Sequence, residues 1–219
     1  MLAKNEWWLV ITSYNERIFP LQWIILIFLI LLTLYLLVGD KRIANRTIKV
    51  TLGTINLFIG IVFFMMSQGF PLKLRMSQGL LFVGIGVLLI WDLYKNNYEF
   101  QFPKEGWKRS FFIIGMLLMM LYPFAGLLQG KNMNHSIVQG TLPCPTTAYT
   151  LILIITASKR KGRLLYGCLL FWAIPFPVLV QIPKYGVYED GIMFAIGLVG
   201  LGVLIYEFVK ESREEIKND

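Results

Sequence analysis

Histidine is almost missing from this sequence: His135 is the single one in 219 residues. A multi-span zinc hydrolase that holds its metal on three histidines is therefore excluded. Cysteine is nearly as scarce. Cys144 and Cys168 fall at different depths in the reading below, so no disulfide is expected between them. Charged residues make up only 16% of the chain, against about 25% in soluble domains, which leaves no room for a separate soluble catalytic domain. No basic cluster is interleaved with aromatics in a polar stretch, so the net charge of +8 does not point to nucleic acid. There is no Ser-His-Asp set, no carboxylate pair at mid-depth and no phosphate-cradling glycine loop with its lysine. The last apolar run, 191–209, lacks the lysine that a retinal Schiff base would need.

What the chain has is apolar length. It is 56% hydrophobic and 15% aromatic, with mean hydropathy +0.62. Charge-poor runs of about 18 residues or more mark membrane helices. Seven are expected, at 21–38, 48–67, 77–94, 111–129, 146–158, 164–182 and 191–209. The first is no cleavable leader. It follows nearly twenty residues, exceeds the roughly 7–15-residue core of a signal peptide and ends without an Ala-x-Ala site. Residues 1–20 mix Trp7, Trp8, Ile11, Tyr14 and Phe19 with Lys4, Glu6, Glu16 and Arg17, as an interfacial helix does. Seven spans put Lys41, Arg42, Arg46, Lys49, Lys95, Lys104, Lys108, Arg109, Lys159, Arg160, Lys161, Arg163, Lys210, Arg213 and Lys217 on one side. Only Lys4, Arg17, Lys73, Arg75, Lys131 and Lys184 fall on the other. By the positive-inside rule the N-terminus is outside and the C-terminus cytoplasmic. The expected fold is all-α: one integral membrane domain over 1–219, with an interfacial segment at 1–20, a seven-helix bundle at 21–209 and a charged tail at 210–219. In that tail Glu207 with Glu211, and Lys210 with Glu214, stand at helical pair spacing.

The fifth run is too short. From Lys159 back to Thr146 a helix rises roughly 20 Å, about 10 Å less than the hydrocarbon layer. Pro143-Cys144-Pro145 stands where its outer part should be. Counted from the same side, Tyr122-Pro123 of the fourth span, and Pro175 and Pro177 of the sixth, fall at roughly 17–20 Å. A proline removes a backbone hydrogen bond, and irregular backbone at membrane depth survives only inside protein or around a cavity. Two readings follow. Either the prolines kink helices that pack without a gap, or they enclose an outward-facing pocket bounded by Tyr122, Pro123, Cys144, Pro145, Thr146, Thr147, Pro175 and Pro177, with 137–143 dipping in as a lid. Free N–H groups at Thr146 and Thr147 would then favour an anionic or carbonyl ligand. A continuous fifth helix through both prolines is unfavourable, at roughly 3 kcal/mol or more for each.

The remaining polar residues carry weaker signals. Glu189 and Asp190 open the last span, as N-terminal caps or as a cation or proton entry pair facing the pocket. Asn56 is expected to bond across helices. Cys144 with His135, Met133, Met76, Met65 and Met66 would suit a soft metal ion, although one Cys and one His define no site. Gly84 and Gly86, Gly126 and Gly130, and Gly197, Gly200 and Gly202 allow close helix packing.

Several of these elements occur together in one family. Tyr14-Asn15-Glu16 with Ile18-Phe19-Pro20, Tyr122-Pro123 with Gly126 and Gly130, Pro143-Cys144-Pro145-Thr146-Thr147 with Thr150-Leu151, and Glu189-Asp190 resemble a family of small bacterial multi-pass membrane proteins classed as a domain of unknown function. The resemblance implies location in the bacterial cytoplasmic (inner) membrane and this architecture. It implies no reaction, ligand or cofactor. The sequence thus reads as a non-enzymatic membrane protein without cofactor or resident metal. Its expected partners are the lipid bilayer and an unknown small solute, carried or bound, and no nucleic acid. The alternatives are a non-catalytic assembly subunit, as a homo-oligomer or with a membrane partner, and thiol or soft-metal handling through Cys144.

Overall fold

Pro20 and Gly39 bracket the first apolar run, and the 18 residues between them form one helix. The computed structural model describes residues 2–67, 69–104 and 106–218, with side chains through residue 213. Helix α1 spans Lys4–Arg17 and α2 spans Leu21–Val38. The Asp40 carboxylate accepts the Ile43 N–H at 2.9 Å, a side-chain cap on the free donors of a helix start. It opens α3 (Lys41–Phe58), which continues as a π-helical segment, Ile59–Met65. Helix α4 (Leu72–Lys95) stops at Asn96, whose φ of 49° ends it in the left-handed region that Asn tolerates. Then come α5 (Gly106–Ala125), α6 (Pro143–Thr156), α7 (Arg163–Ala173) with a second π-helical segment at Pro177–Tyr185, and α8 (Asp190–Asn218). Strands β1 (Tyr98–Glu99) and β2 (Lys159–Arg160) pair antiparallel and tie the loop after α4 to the loop after α6.

Among the described residues, six helices are long and apolar enough to cross a membrane: α2, α3 with its π extension, α4, α5, α7 with its extension, and α8. Their outward faces are apolar. Ile24, Ile27 and Leu31 of α2, Leu80, Val87 and Trp91 of α4, and Ile114, Leu117 and Leu121 of α5 are all exposed. So continuous an apolar surface is costly in water and matched to lipid, consistent with a multi-pass membrane protein.

Helix α6 is the axis of the bundle. All 14 of its residues are buried, as expected of a helix apolar all round, and it packs against α3, α5, α7 and α8. Its length corresponds to about 21 Å, well short of the hydrocarbon layer. The Pro-Cys-Pro element does not lie outside the helix, as the sequence suggested. Pro143 is its first residue and Leu142 its cap. The reason is that first-turn N–H groups have no partner within a helix, so prolines sacrifice nothing there. Pro143 and Pro145 carry no N–H, and the Thr146 hydroxyl is already engaged, donating to Leu142 O at 2.7 Å and accepting the Gly140 N–H at 2.8 Å.

The chain reaches α6 through a buried, non-helical stretch, 136–142. Several of its polar groups are answered, although Gln139 Oε1 is buried without a partner. Tyr14 Oη donates to Thr141 O at 2.9 Å, Asn15 Nδ2 donates to Ser136 O at 2.9 Å, and Leu142 N–H donates to Val138 O at 3.1 Å. Gly140 has φ +87°, and a Cβ there would stand 2.2 Å from Ile25 Cγ2, so both backbone shape and space demand glycine.

Other sequence expectations are redrawn by packing. The fourth span ends at Ala125, two residues past Pro123, and a 3₁₀ turn, Leu127–Gln129, replaces its expected last turn. Asn56 makes no cross-helix bond. Its Nδ2 donates to Leu52 O on its own helix at 2.8 Å. Glycines bring α3 and α4 into backbone contact: a Cβ on Gly86 would meet Gly53 O at 2.8 Å, and one on Gly60 would meet Gly79 O at 2.8 Å. Of the expected glycines only Gly86, Gly197 and Gly200 face a neighbouring helix closely, whereas Gly84 and Gly202 face open space. Glu207 reaches across to Arg160 of β2, and Glu211 to Arg163, the first residue of α7. The side chain of Glu214 lies outside the described residues.

Candidate functional site

Helix α1 does not merely lie on a surface. Trp7, Ile11, Tyr14 and Asn15 share one face at helical spacing and are all buried. That face closes over the N-terminal end of α6. Trp8 Nε1 donates to Tyr185 O at 3.1 Å, and Asn15 Nδ2 also donates to Asn134 O at 2.9 Å. Trp7 stacks on Tyr185 with ring centres 4.9 Å apart. Burial pushes the Tyr14 phenol well above its usual range, so it remains a donor to Thr141 O.

Beneath α1 lies a small cavity that offers about 40 Å³ to the centres of water-sized molecules. That is room for water or a small head group. Its walls come from six places, one of them Gln78 of α4. Trp7 and Ile11 descend from α1. Phe63 and Phe64 come from the π-helical end of α3, with Phe70 beyond it. Ile137, Leu142, Pro143 and Cys144 form the entry to α6. Trp172, Phe176 and Gln181 come from α7 and its extension, and Asp190 starts α8. Both π-helical segments face this cavity. A π turn rotates the following residues relative to an α-helix, and such turns gather at functional sites. In α7 the cause is visible: Pro175 and Pro177 cannot donate to the preceding turn.

The polar groups of the wall are few and concentrated. Behind the wall, the Tyr122 hydroxyl donates to Asp190 Oδ1. Cys144 lies beside both Asp190 and Trp172. Asp190 Oδ2, Gln181 Oε1 and Trp172 Nε1 are buried without a hydrogen-bond partner. Two acceptors and one donor thus lack a well-formed hydrogen bond around one aromatic-walled space, with the Cys144 thiol the polar neighbour of Asp190 and Trp172, and an unmet buried group costs about 1–3 kcal/mol.

The residues singled out from sequence separate into three groups. Tyr122, Cys144 and Asp190 converge, from α5, α6 and α8. Pro123, Pro145, Thr146, Thr147 and Pro177 are buried but line no wall of the cavity, and Pro175 faces an apolar groove between α4 and α7. Glu189 turns away from its neighbour. It pairs with Lys131 Nζ at 3.0 Å and accepts from Gln129 Nε2 at 3.0 Å. The Lys131 ammonium also sits 4.5 Å from the Trp8 ring centre, which clamps the loop before α6 to α1. His135 packs edge-on to Trp8, apart from the cavity wall that holds Cys144. Among the described residues no three His, Cys, Asp or Glu side chains are grouped as a metal site would require.

Sequence reasoning missed Trp172, Gln181, Phe63, Phe64 and Gln78. Trp172 and Gln181 carried a faint signal. Both follow or precede the Pro175 and Pro177 pair by a few residues, on the side that the kink turns inward.

The chain belongs to DUF6064, a family of unknown function, whose profile matches residues 4–215. No curated protein and no solved structure matches the chain.

Proposed function

From that membership, which brings no reaction with it, we propose that this chain is a ligand-binding protein of the bacterial cytoplasmic membrane. It has seven crossings, with the N-terminus outside and the C-terminus in the cytoplasm. The fifth crossing, the one added to the six long helices, is made by the stretch 136–142 and α6 together, because the irregular stretch is enclosed by protein. The charge distribution of the loops supports the orientation. The cavity under α1 is then the outer site, and the protein binds, and in the transport reading carries, a small neutral solute there. One observation carries this reading: Asp190 Oδ2, Gln181 Oε1 and Trp172 Nε1 stand unpartnered around a single aromatic-walled space. The surplus of acceptors replaces the anionic or carbonyl ligand first expected with one that donates hydrogen bonds.

Cys144 reports on this directly. With Cys168→Ser as background, a small membrane-impermeant thiol reagent added to intact cells labels Cys144 slowly. Trp7→Ala, which opens the roof, speeds that labelling at least tenfold. Labelling only from the cytoplasmic side would overturn the orientation. An inert Cys144 in the folded Trp7→Ala protein, reactive after denaturation, would remove the outer site. The assembly-subunit alternative has no observation of this kind behind it.

A further inference from the structure

The cavity shares a wall with a second, much larger space. Between α4 and α7 lies a groove offering about 690 Å³ on the same measure, lined by Leu80, Leu81, Phe171, Pro175, Leu179 and neighbouring residues. Leu80, Phe171 and Leu179 are 59%, 69% and 64% exposed, on helices apolar enough to lie in a bilayer. Gln78, Trp172 and Phe176 line both spaces. The shared wall is thin, because Trp172 and Phe176 stack with centres 4.0 Å apart. It is also the weakest-bonded stretch of its helix, since Phe176 lies between two prolines that cannot donate to the preceding turn. An apolar groove therefore adjoins a small aromatic-walled chamber that holds a few polar atoms, across one aromatic pair.

We infer that the ligand enters sideways from the bilayer and is a single-chain amphiphile with a neutral, hydroxyl-bearing head: its chain lies in the groove between α4 and α7, and its head reaches Trp172, Gln181 and Asp190. This deepens the reading of the cavity as a ligand site and rests on it. The groove's occupant follows from its surroundings, since at this depth only apolar chains compete for it. The head follows from the inventory. A hydroxyl donates to Asp190 Oδ2 or Gln181 Oε1 and accepts from Trp172 Nε1, whereas an ammonium cannot accept. A carboxylate or phosphate head would bring further acceptor oxygens against Gln181 Oε1 and the Asp190 side chain, both acceptors already. The small chamber admits a few heavy atoms, which excludes a bulky head.

The test uses full-length protein in phosphatidylcholine nanodiscs and tryptophan quenching by chain-brominated probes. The Trp172 signal is the difference between wild type and Trp172→Phe. Brominated monoacylglycerol and brominated fatty alcohol are compared with brominated fatty acid and brominated phosphatidylcholine. The expected result is saturable quenching of Trp172 by the first two, half-complete at a mole fraction at least tenfold below that for the last two. Comparing the two hydroxyl heads tells a diol from a single hydroxyl. Ser77→Trp, which fills the exposed mouth of the groove, and Gln181→Leu, which removes a head acceptor, each raise the half-quenching mole fraction about tenfold. Equal quenching by all four probes, or no change in both variants, overturns the inference. Water-soluble 1,2-hexanediol separates it from the parent reading. If the diol shields Cys144 from the external thiol reagent while the brominated lipids show no preference, the chamber stands and the lateral route falls. If neither occurs, both fall.

Discussion

Lys49 Nζ lies 2.9 Å from Asp92 Oδ2, with the two side chains 1% and 4% exposed. The pair joins α3 to the end of α4 and is fully used. Lys49 also donates to Asp92 O at 3.2 Å and Asn96 Oδ1 at 3.1 Å, while the Asp92 carboxylate accepts the N–H groups of Asn97 and Tyr98 at 2.7 and 3.1 Å. An ion pair at such burial offsets its own desolvation only while both partners are present. Lys49→Met therefore destabilises the protein by about 3–5 kcal/mol, read as the shift in an unfolding curve in detergent. The double variant Lys49→Met with Asp92→Asn recovers part of the loss, because the remaining amide oxygen still accepts from the turn. A double variant as unstable as the single one would show that the charge is not the source.

The contact between α3 and α4 depends on glycine at defined positions. A methyl group on Gly86 would press on Gly53 O, whereas Gly84, two residues away, has nothing within 4 Å. Gly86→Ala should cost about 1–3 kcal/mol through forced separation of the helices, and Gly84→Ala should leave the unfolding midpoint unchanged. Equal effects of the two would mean that helix propensity, not packing, governs this pair.

Tyr122 holds Asp190 in place. Removing its hydroxyl in Tyr122→Phe leaves the buried carboxylate without that donor, at a cost of about 2 kcal/mol, typical of hydrogen bonds to charged groups. Because Cys144 lies beside Asp190, the variant should also change the Cys144 labelling rate, whereas a purely structural loss elsewhere in α5 would not. Stability and labelling rate measured on the same preparation check both parts.

The clamp over the cavity is electrostatic at its rim. Lys131→Met removes the partner of a Glu189 side chain that is only 2% exposed and also the cation on the Trp8 ring. Helix α1 should loosen. Limited proteolysis before Pro20 is expected to accelerate several-fold, and Cys144 labelling to rise with it. Unchanged proteolysis would show that the contacts of Trp7, Tyr14 and Asn15 hold α1 without the ion pair.

Much of this architecture was legible before any coordinates. Apolar runs and proline punctuation located the long helices, since a bilayer-length helix needs little beyond continuous apolar sequence. The short run after Cys144 announced a helix of about 20 Å. Its burial on every side came from the packing, which encloses a helix that has no strongly polar face. The exact roles of polar residues were not legible. Lys49 read as one more basic loop residue, Glu189 and Asp190 as a pair, and α1 as a helix resting on lipid. Their partners lie tens of residues away in the chain: Asp92 for Lys49, Lys131 for Glu189, Tyr122 for Asp190.

The amino-acid order alone determined where helices start, stop and run apolar, because those are local consequences of backbone donors, proline rings and solvent preference. Only the tertiary arrangement decided which polar atoms met and which stayed unanswered. Hydrogen bonds and ion pairs need atoms within about 3 Å, and that proximity was set by how α1, α6, α7 and α8 packed around one another.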